Sequence, residues 1–351
     1  MINLAQIGCG YWGPNLLRNF SALPGAHVKF VVEADEDRRR YVRENYPRTT
    51  AVADLEPVLA DPSIHAVLVA TPARSHFALA LRALRAGKHT FVEKPLAMSV
   101  AEVDTLAAEA ARRRLTLMPG HTFLYNPAVL ALKALVDSGA LGRVYYLYTQ
   151  RLNLGVVRSD VNALWNLAPH DVSICNFLLG TAPIAATAHG SSYLQPAIED
   201  VVFAHFEYPG AVRASVHVSW LDPNKTRKVT VVGSRKMVVY DDVASDPLVV
   251  YDKGIDSVPS APTPGSFPFD LPGAHRLVYR SGGVDCPKIS GPEPLHAEAV
   301  DFLAAIASGL PPRADAAGAR SVVAALQAAE LSLKENSRRV TLAEIDPPSL
   351  S

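Results

Sequence analysis

Cysteine is scarce. Only Cys9, Cys175 and Cys286 occur among 351 residues, far apart and without CxxC or metal-like spacing. That speaks against a disulfide scaffold or a zinc site, and the expectation is a metal-free cytoplasmic protein with reduced thiols. Net charge is also absent: 34 basic residues balance 34 acidic ones, leaving nothing to draw nucleic acid or an anionic membrane. No apolar run reaches the roughly 20 residues of a membrane helix. The opening stretch MINLAQIGCG has no basic n-region, so no signal peptide is expected. No internal repeat is visible. What remains is a chain that is 49% hydrophobic and 19% charged, a globular composition long enough for two cores.

Up to about residue 120, short apolar runs alternate with helical patterns. INLAQIG, HVKFVVEA, IHAVLVATP, HTFVEKP and LTLMPGH read as strands. Between them YWGPNLLRNFSAL, DEDRRRYVRENY, DLEPVLAD, RSHFALALRALRAG and VAEVDTLAAEAARRR read as helices. Strands separated by helices of this length imply right-handed crossovers and a doubly wound parallel sheet. VLVA is apolar on both faces, as a strand covered from two sides must be.

Beyond residue 122 the pattern changes. A helix ending at Gly139 is followed by a long strand, GRVYYLYTQRLNL, and a helix around PHDVSICNFLLG. Four strand-like segments follow, VVFAHFEY, VRASVHVSW, RKVTVVGS and KMVVYDD. Short turns between them predict an open, mostly antiparallel meander with helices on one face. Residues 256 to 294 are proline-rich but carry aromatics and arginines, so they read as an ordered excursion or lid rather than a linker. Two amphipathic helices close the chain. The predicted architecture is thus α/β followed by α+β, with domains at 1–122 and 123–351.

Chemistry enters with IGCGYWGPN. Gly8, Gly10 and Gly13 form GxGxxG at the first strand–helix turn, where glycines allow a tight turn and close approach to a pyrophosphate. The helix N-terminus would face the phosphates. GxGxxG alone is a weak signal. Here Glu33 lies twenty residues beyond Gly13, at the end of the second strand, where an acid accepts ribose hydroxyls and repels a 2′-phosphate. A Rossmann-type dinucleotide site preferring NAD follows. The arginines of DRRR at 37–40 keep NADP open. Tyr11 and Trp12 sit inside the turn as cofactor-side candidates. VATPARSH closes the strand IHAVLVATP, at the crevice of a doubly wound sheet, and adds Thr71, Pro72 and His76.

EKP, residues 93 to 95, ends the next strand on the same crevice. Lys94 there can hold a substrate hydroxyl and stabilise the oxyanion that develops as hydride leaves, with Glu93 beside it. Pro95 restricts the preceding residue to extended geometry. On position alone, a surface salt bridge with Glu93 is an equal reading of Lys94.

GxGYWGPN, Glu33, VATPxxSH, GKHTFVEKPL, MPGHTFLYNP and APHD, in this order, resemble the Gfo/Idh/MocA family of sugar and cyclitol oxidoreductases. The resemblance spans nearly the whole chain. YWGPN, LNLG, LAPHDVSI and SWLDPNK place it nearest the nucleotide-sugar branch, such as UDP-N-acetylglucosamine 3-dehydrogenases. The resemblance implies that Lys94 is an active-site group and His170 of LWNLAPHDVS the general base. Relatives often carry Asp four residues before this histidine, whereas this chain has Asn166, which orients an imidazole but carries no charge. Pro169 argues against one continuous helix through both, and Asp171 is a substitute for the missing acid or a helix N-terminal acid.

Tyr125, Asn126, Arg151, Asn153, Arg158 and Asn162 are further substrate candidates, the arginines because a guanidinium fork suits a diphosphate. His121 and Lys225 are secondary, each more readily a structural contact, and Trp12, Trp165 and Trp220 suit packing better than stacking on a base. The activity this implies is reversible hydride transfer between NAD(P) and a ring carbinol, most simply C3 of a UDP- or dTDP-hexose. A free cyclitol, a 3-ketosugar run in reverse, and a non-catalytic NAD-binding regulator are the alternatives. The open sheet needs a cover on its helix-free face, near Val202, Val216 and Val231, so a homodimer or homotetramer is expected.

Overall fold

The structure, a computed structural model, describes residues 1–259 and 275–346. Two sheets organise it. The first has six parallel strands in the order β3-β2-β1-β4-β5-β6. They are β1 (Ile2–Ile7), β2 (Ala26–Val32), β3 (Thr50–Val52), β4 (Ala66–Val69), β5 (His89–Glu93) and β6 (Leu117–Gly120). Helices α1 (Gly13–Ala22), α2 (Glu36–Asn45), α3 (Glu56–Ala60), α4 (His76–Arg85) and α5 (Val100–Arg113) alternate with them. β4 is buried along its whole length, as a strand with helices on both faces must be. The short edge strand β3 escapes the sequence reading because three residues carry no period. Local chemistry sets the helix starts: Asp35 caps α2 by accepting from Arg38 N, and Ser99 caps α5 by accepting from Glu102 N.

The second sheet has nine strands. After α6 (Pro127–Asp137) come β7 (Val144–Leu152), α7 (Ala163–Leu179), β8 (Ala185–Ser191), β9 (Val201–Glu207) and β10 (Arg213–Ser219). β11 (Thr226–Gly233), β12 (Met237–Asp241), β13 (Leu248–Pro259) and β14 (His275–Asp285) follow, then α8 (Pro294–Ser308), α9 (Ala316–Lys334) and β15 (Val340–Thr341). The order is β14-β13-β12-β11-β7-β10-β9-β8-β15. It is not a simple meander: β7 lies between β10 and β11 and pairs with β10 in parallel, because α7 carries the chain away before the later strands return. The centre of the proline-rich excursion lies outside the described residues, and its flanks β13 and β14 form a long antiparallel hairpin.

Two expectations about this sheet change. Val202, Val216 and Val231 do not face outward; they are 0%, 1% and 0% exposed, in the core beneath the α7 and α9 side. Alternation puts the other parity on the uncovered face, where Tyr146, Tyr148 and Phe203 stand exposed and Phe203 stacks on His217. Second, α7 runs unbroken through Pro169. It is capped by the Asn162 side chain, which accepts from Trp165 N, and it ends on Gly180 in the left-handed region.

The two halves are not independent in chain order. Phe302 of α8 packs edge-on against Phe20 and Phe91, at 6.2 and 5.8 Å, inside the core of the first sheet.

Candidate active site

A cavity of about 1000 Å³ opens at the carboxyl ends of β1, β2, β4 and β5 and is closed on its other side by β7, α7 and β11. The first sheet supplies Gly8, Gly10, Tyr11, Trp12, Glu33, Thr71, Pro72, Glu93 and Lys94 to its lining. The second part supplies Asn126, Arg151, Asn153, Arg158, Asn166 and His170. A volume of this size matches an extended small molecule rather than a single ring.

The glycine turn is built for close approach. Gly8 has φ +89°, and a Cβ there would meet Ala70 O at 2.6 Å; one on Gly13 would meet Gly8 O at 2.8 Å. Gly13 therefore serves the packing of the turn and does not line the cavity. Glu33 is almost fully buried, with Oε2 accepting from Cys9 N at 2.7 Å and Oε1 from Asp35 N at 3.1 Å. Each oxygen keeps a lone pair for a hydroxyl donor. Arg38 Nη1 stands 3.9 Å from Glu33 Oε2 on the cavity wall. The glycine cradle and the acid at the end of β2 fit the diphosphate and ribose of NAD.

Lys94 follows β5 directly, and its peptide bond to Pro95 is cis. Its Nζ donates to the carbonyl of Asn166 at 2.7 Å, one turn before His170 on α7. Lysine and histidine thus converge from two sheets. Burial pulls the Lys94 ammonium below its ordinary value, against the opposing pull of Glu93. Burial, with Lys94 and Arg151 adding to it, holds His170 well below the ordinary imidazole value, so the ring is neutral at neutral pH. Its Nδ1 is buried without a partner, which leaves Nε2 as the nitrogen open to the cavity. Phe123 fixes the ring edge-on at 4.9 Å.

Asn166 accepts the Trp220 indole N–H through Oδ1 at 3.0 Å, orienting its amide nitrogen as the free donor. Asp171 neither starts a helix nor replaces the missing acid. It lies inside α7, and its carboxylate takes Arg151 Nε at 2.8 Å, both groups buried. Arg151 lies 4.5 Å over the Phe123 ring, so it braces the histidine's neighbour rather than waiting free for a diphosphate.

Five other expected contacts do not reach the cavity or are otherwise engaged. His76 is buried, its ring nitrogens against Pro95 O and Thr71 O, tying the ends of β4 and β5 together. Tyr125 donates to Asp301 at 2.6 Å, and Asn162 is a helix cap that also donates to Glu199. Asn126 lines the cavity but also caps α6 and donates to Tyr240 and Asp242. His121 is buried with neither ring nitrogen partnered, and burial pushes it down to about 4.

Sequence reasoning missed Arg227, Thr122 and Phe123. Strand parity would have found the first: Arg227 shares a face with Val229 and Val231 and sits opposite Arg151 in the β11–β7 register. It pairs with Asp242 at 3.1 Å on the cavity wall. Lys225 is exposed there, with no ion-pair partner among the described residues.

Comparison with known proteins agrees with this geometry. Residues 2–121 match the family model described as oxidoreductase family, NAD-binding Rossmann fold, and residues 129–239 match the GFO/IDH/MocA C-terminal domain. Inositol 2-dehydrogenase 2 of Saccharopolyspora erythraea is 31% identical over 62% of this chain and 66% of its own length, just under two thirds. UDP-N-acetylglucosamine 3-dehydrogenase of Acidithiobacillus ferrooxidans is 28% identical over 92% of this chain and 94% of its own. The crystal structure of GenD2 from gentamicin A biosynthesis, in complex with NAD, superposes with a TM-score of 0.79 at 25% identity, covering 97% and 96% of the two chains.

Proposed function

The chain belongs to the Gfo/Idh/MocA family of NAD-binding oxidoreductases, and from that premise we propose that it moves a hydride between NAD and C3 of a nucleotide-linked hexose. When bound, the dinucleotide supplies the hydride acceptor. The chain's own residues do the rest. The Glu33 carboxylate receives ribose hydroxyls, and the glycine turn admits the diphosphate. Lys94 Nζ holds the reacting hydroxyl oxygen and stabilises the negative charge that grows on it. His170 Nε2 takes the hydroxyl proton, and its neutrality at working pH makes it an acceptor. Asn166 keeps the indole-anchored geometry that a charged aspartate would otherwise serve. In the reverse direction the same atoms return the proton.

The charge of the cavity carries the choice of substrate. Six cationic side chains, Arg38, Lys94, Arg151, Arg158, Lys225 and Arg227, line it against four carboxylates, Glu33, Glu93, Asp242 and Glu293. Asp171 and Asp160 neutralise Arg151 and Arg158 from behind the wall, so the charges balance and what suits a diphosphate rather than a neutral cyclitol is a cation left without a partner. Arg158 is held by Asp160 and Arg227 by Asp242, so Lys225 is the freest of them. The exposed aromatic face of the second sheet supports a homodimer or homotetramer.

The test is a panel of UDP- and dTDP-hexoses, free sugars and cyclitols, followed at the nicotinamide absorbance. Nucleotide sugars should turn over, and Lys225→Ala should raise their KM about tenfold, the scale of one charge-assisted contact. Lys94→Ala should cut kcat about a hundredfold while NAD still binds. Turnover of free inositol alone overturns the substrate assignment, and near-normal turnover by Lys94→Ala overturns the mechanism.

A further inference from the structure

Behind Lys94 lies a set of buried groups that the hydride chemistry does not use. Glu298 of α8 is 0% exposed, and its Oε2 receives the Thr122 hydroxyl at 2.7 Å. Its other oxygen, Oε1, has no partner. One turn further along α8, Asp301 receives the Tyr125 hydroxyl, so the helix grips both ends of the segment 122–125, whose Thr122 and Phe123 line the cavity. Glu93 is buried next to it in the same region and likewise has an unpartnered Oε1. Its Oε2 accepts from Lys94 N at 3.2 Å and packs against Gly120, its register partner on β6, two residues before Thr122.

Two buried carboxyls, each with one unpartnered oxygen, therefore lie close enough to feel each other's charge. If both were ionised, an uncompensated charge would be left in the interior, which a protein avoids by binding a proton. Geometry decides which carboxyl takes it. Glu93 adjoins Lys94 in the chain, whereas Glu298 faces Glu93 from β5, the Thr122 hydroxyl, and Asp301 on its own helix. The nearest cations at the ends of α8 are engaged elsewhere: Arg18 is bonded to Glu293, and Arg313 lies over the Tyr125 ring. No cation is within ion-pair distance of Glu298 among the described residues. Burial and the Glu93 charge both raise the Glu298 carboxyl well above its ordinary value; burial raises Glu93 too, but there the Lys94 charge and the Lys94 N–H pull it back, an opposition Glu298 lacks.

We propose that Glu298 is a positioning residue for Lys94, acting through Thr122 and Glu93. It sits in the folded protein as a neutral carboxylic acid, leaving the one negative charge of the buried pair on Glu93, beside the reacting ammonium. The inference rests on Lys94 as the reacting group, but the protonation of Glu298 is measurable without substrate or cofactor.

Two measurements on the full-length, cofactor-free protein decide the protonation. The infrared difference between wild type and Glu298→Gln at pH 7 should contain the carbonyl band of a protonated carboxyl. Between pH 5 and 7, the wild-type folded state keeps a proton that the unfolded chain releases, so wild-type stability falls with rising pH from this group. The folding constant of Glu298→Gln relative to wild type should then rise about tenfold per pH unit. No band and a flat ratio would mean an ionised Glu298 and would overturn the proposal. For positioning, Glu298→Ala should lower kcat about tenfold with little change in KM, the scale of a modest misplacement at a reacting group. Glu298→Gln, which keeps an oxygen for Thr122 and no charge, should recover most of that loss. A loss in Glu298→Gln as deep as in Glu298→Ala overturns the role. If Lys94→Ala keeps turnover, the functional reading fails, while the infrared band still decides the state of Glu298.

Discussion

Replacing Arg151 by methionine removes a guanidinium from a place where water cannot take over. Its Nε and Nη2 reach Asp171 at 2.8 and 3.4 Å, with the two side chains 6% and 1% exposed. Removing one member of such a buried pair costs about 3–5 kcal/mol, because the other charge is stranded. An exposed pair such as Arg40–Asp37 would cost about 1 kcal/mol or less. Asp171 has one escape. Burial already pushes its carboxyl up and Arg151 is what pulls it down, so in Arg151→Met the folded state binds a proton there. Its folded value, already raised in the wild type, then lies further above its unfolded one. The folded state holds the proton while the unfolded chain releases it, so the variant loses stability as pH rises from about 4 toward the new folded value. Urea unfolding should therefore show a larger deficit relative to wild type at pH 8 than at pH 5, and adding Asp171→Asn should recover most of the deficit at pH 8. A cost under about 1 kcal/mol at pH 8, or a deficit that ignores pH, would refute the reasoning.

Other consequences are equally direct. Glu33→Ala should narrow the preference for NAD over NADP in binding titrations, and Arg38→Ala should weaken NADP in particular; an unchanged ratio in both would remove them from the ribose site. His170→Ala should abolish the acidic limb of the pH–rate profile, which in wild type should lie below the usual imidazole range because burial and Lys94 keep the ring neutral. A limb that survives the substitution belongs to another group. Sedimentation at micromolar concentration should find a dimer or larger, and Tyr148→Asp on the uncovered face should weaken it; a stable wild-type monomer counts against assembly.

The first sheet was legible because its signals are local and periodic: buried runs such as AVLV, glycines at a turn, an acid at a strand end. The order of the second sheet was not. That β7 sits between β10 and β11 depends on where α7 returns the chain, and no residue of those strands encodes its neighbour. Lys94 and His170 were visible from motif and resemblance, yet their meeting through the carbonyl of Asn166 is a tertiary fact. Arg151 looked like a ligand because arginines suit phosphates, and only the fold reveals Asp171 beneath it. Pro169 misled for a physical reason: proline removes one hydrogen bond and strains a turn, but a helix buried on most sides, as α7 is, tolerates that loss. Tyr125 and Asn162 were misplaced because a polar side chain near a site serves as a cap or clamp as readily as a contact.

The wedge of Phe302 between Phe20 and Phe91 ties the first sheet's core to a residue near the far end of the chain. On the ribosome, β6 is complete some 180 residues before Phe302 is added. At about 5–20 residues per second, that face of the nucleotide domain stays uncovered for roughly ten to forty seconds of each synthesis. During that interval the nascent chain presents an aromatic patch to whatever surrounds it. A stalled or truncated product ending before α8 would carry a complete strand order with an open core, and would be the form of this protein most exposed to chaperones and proteases.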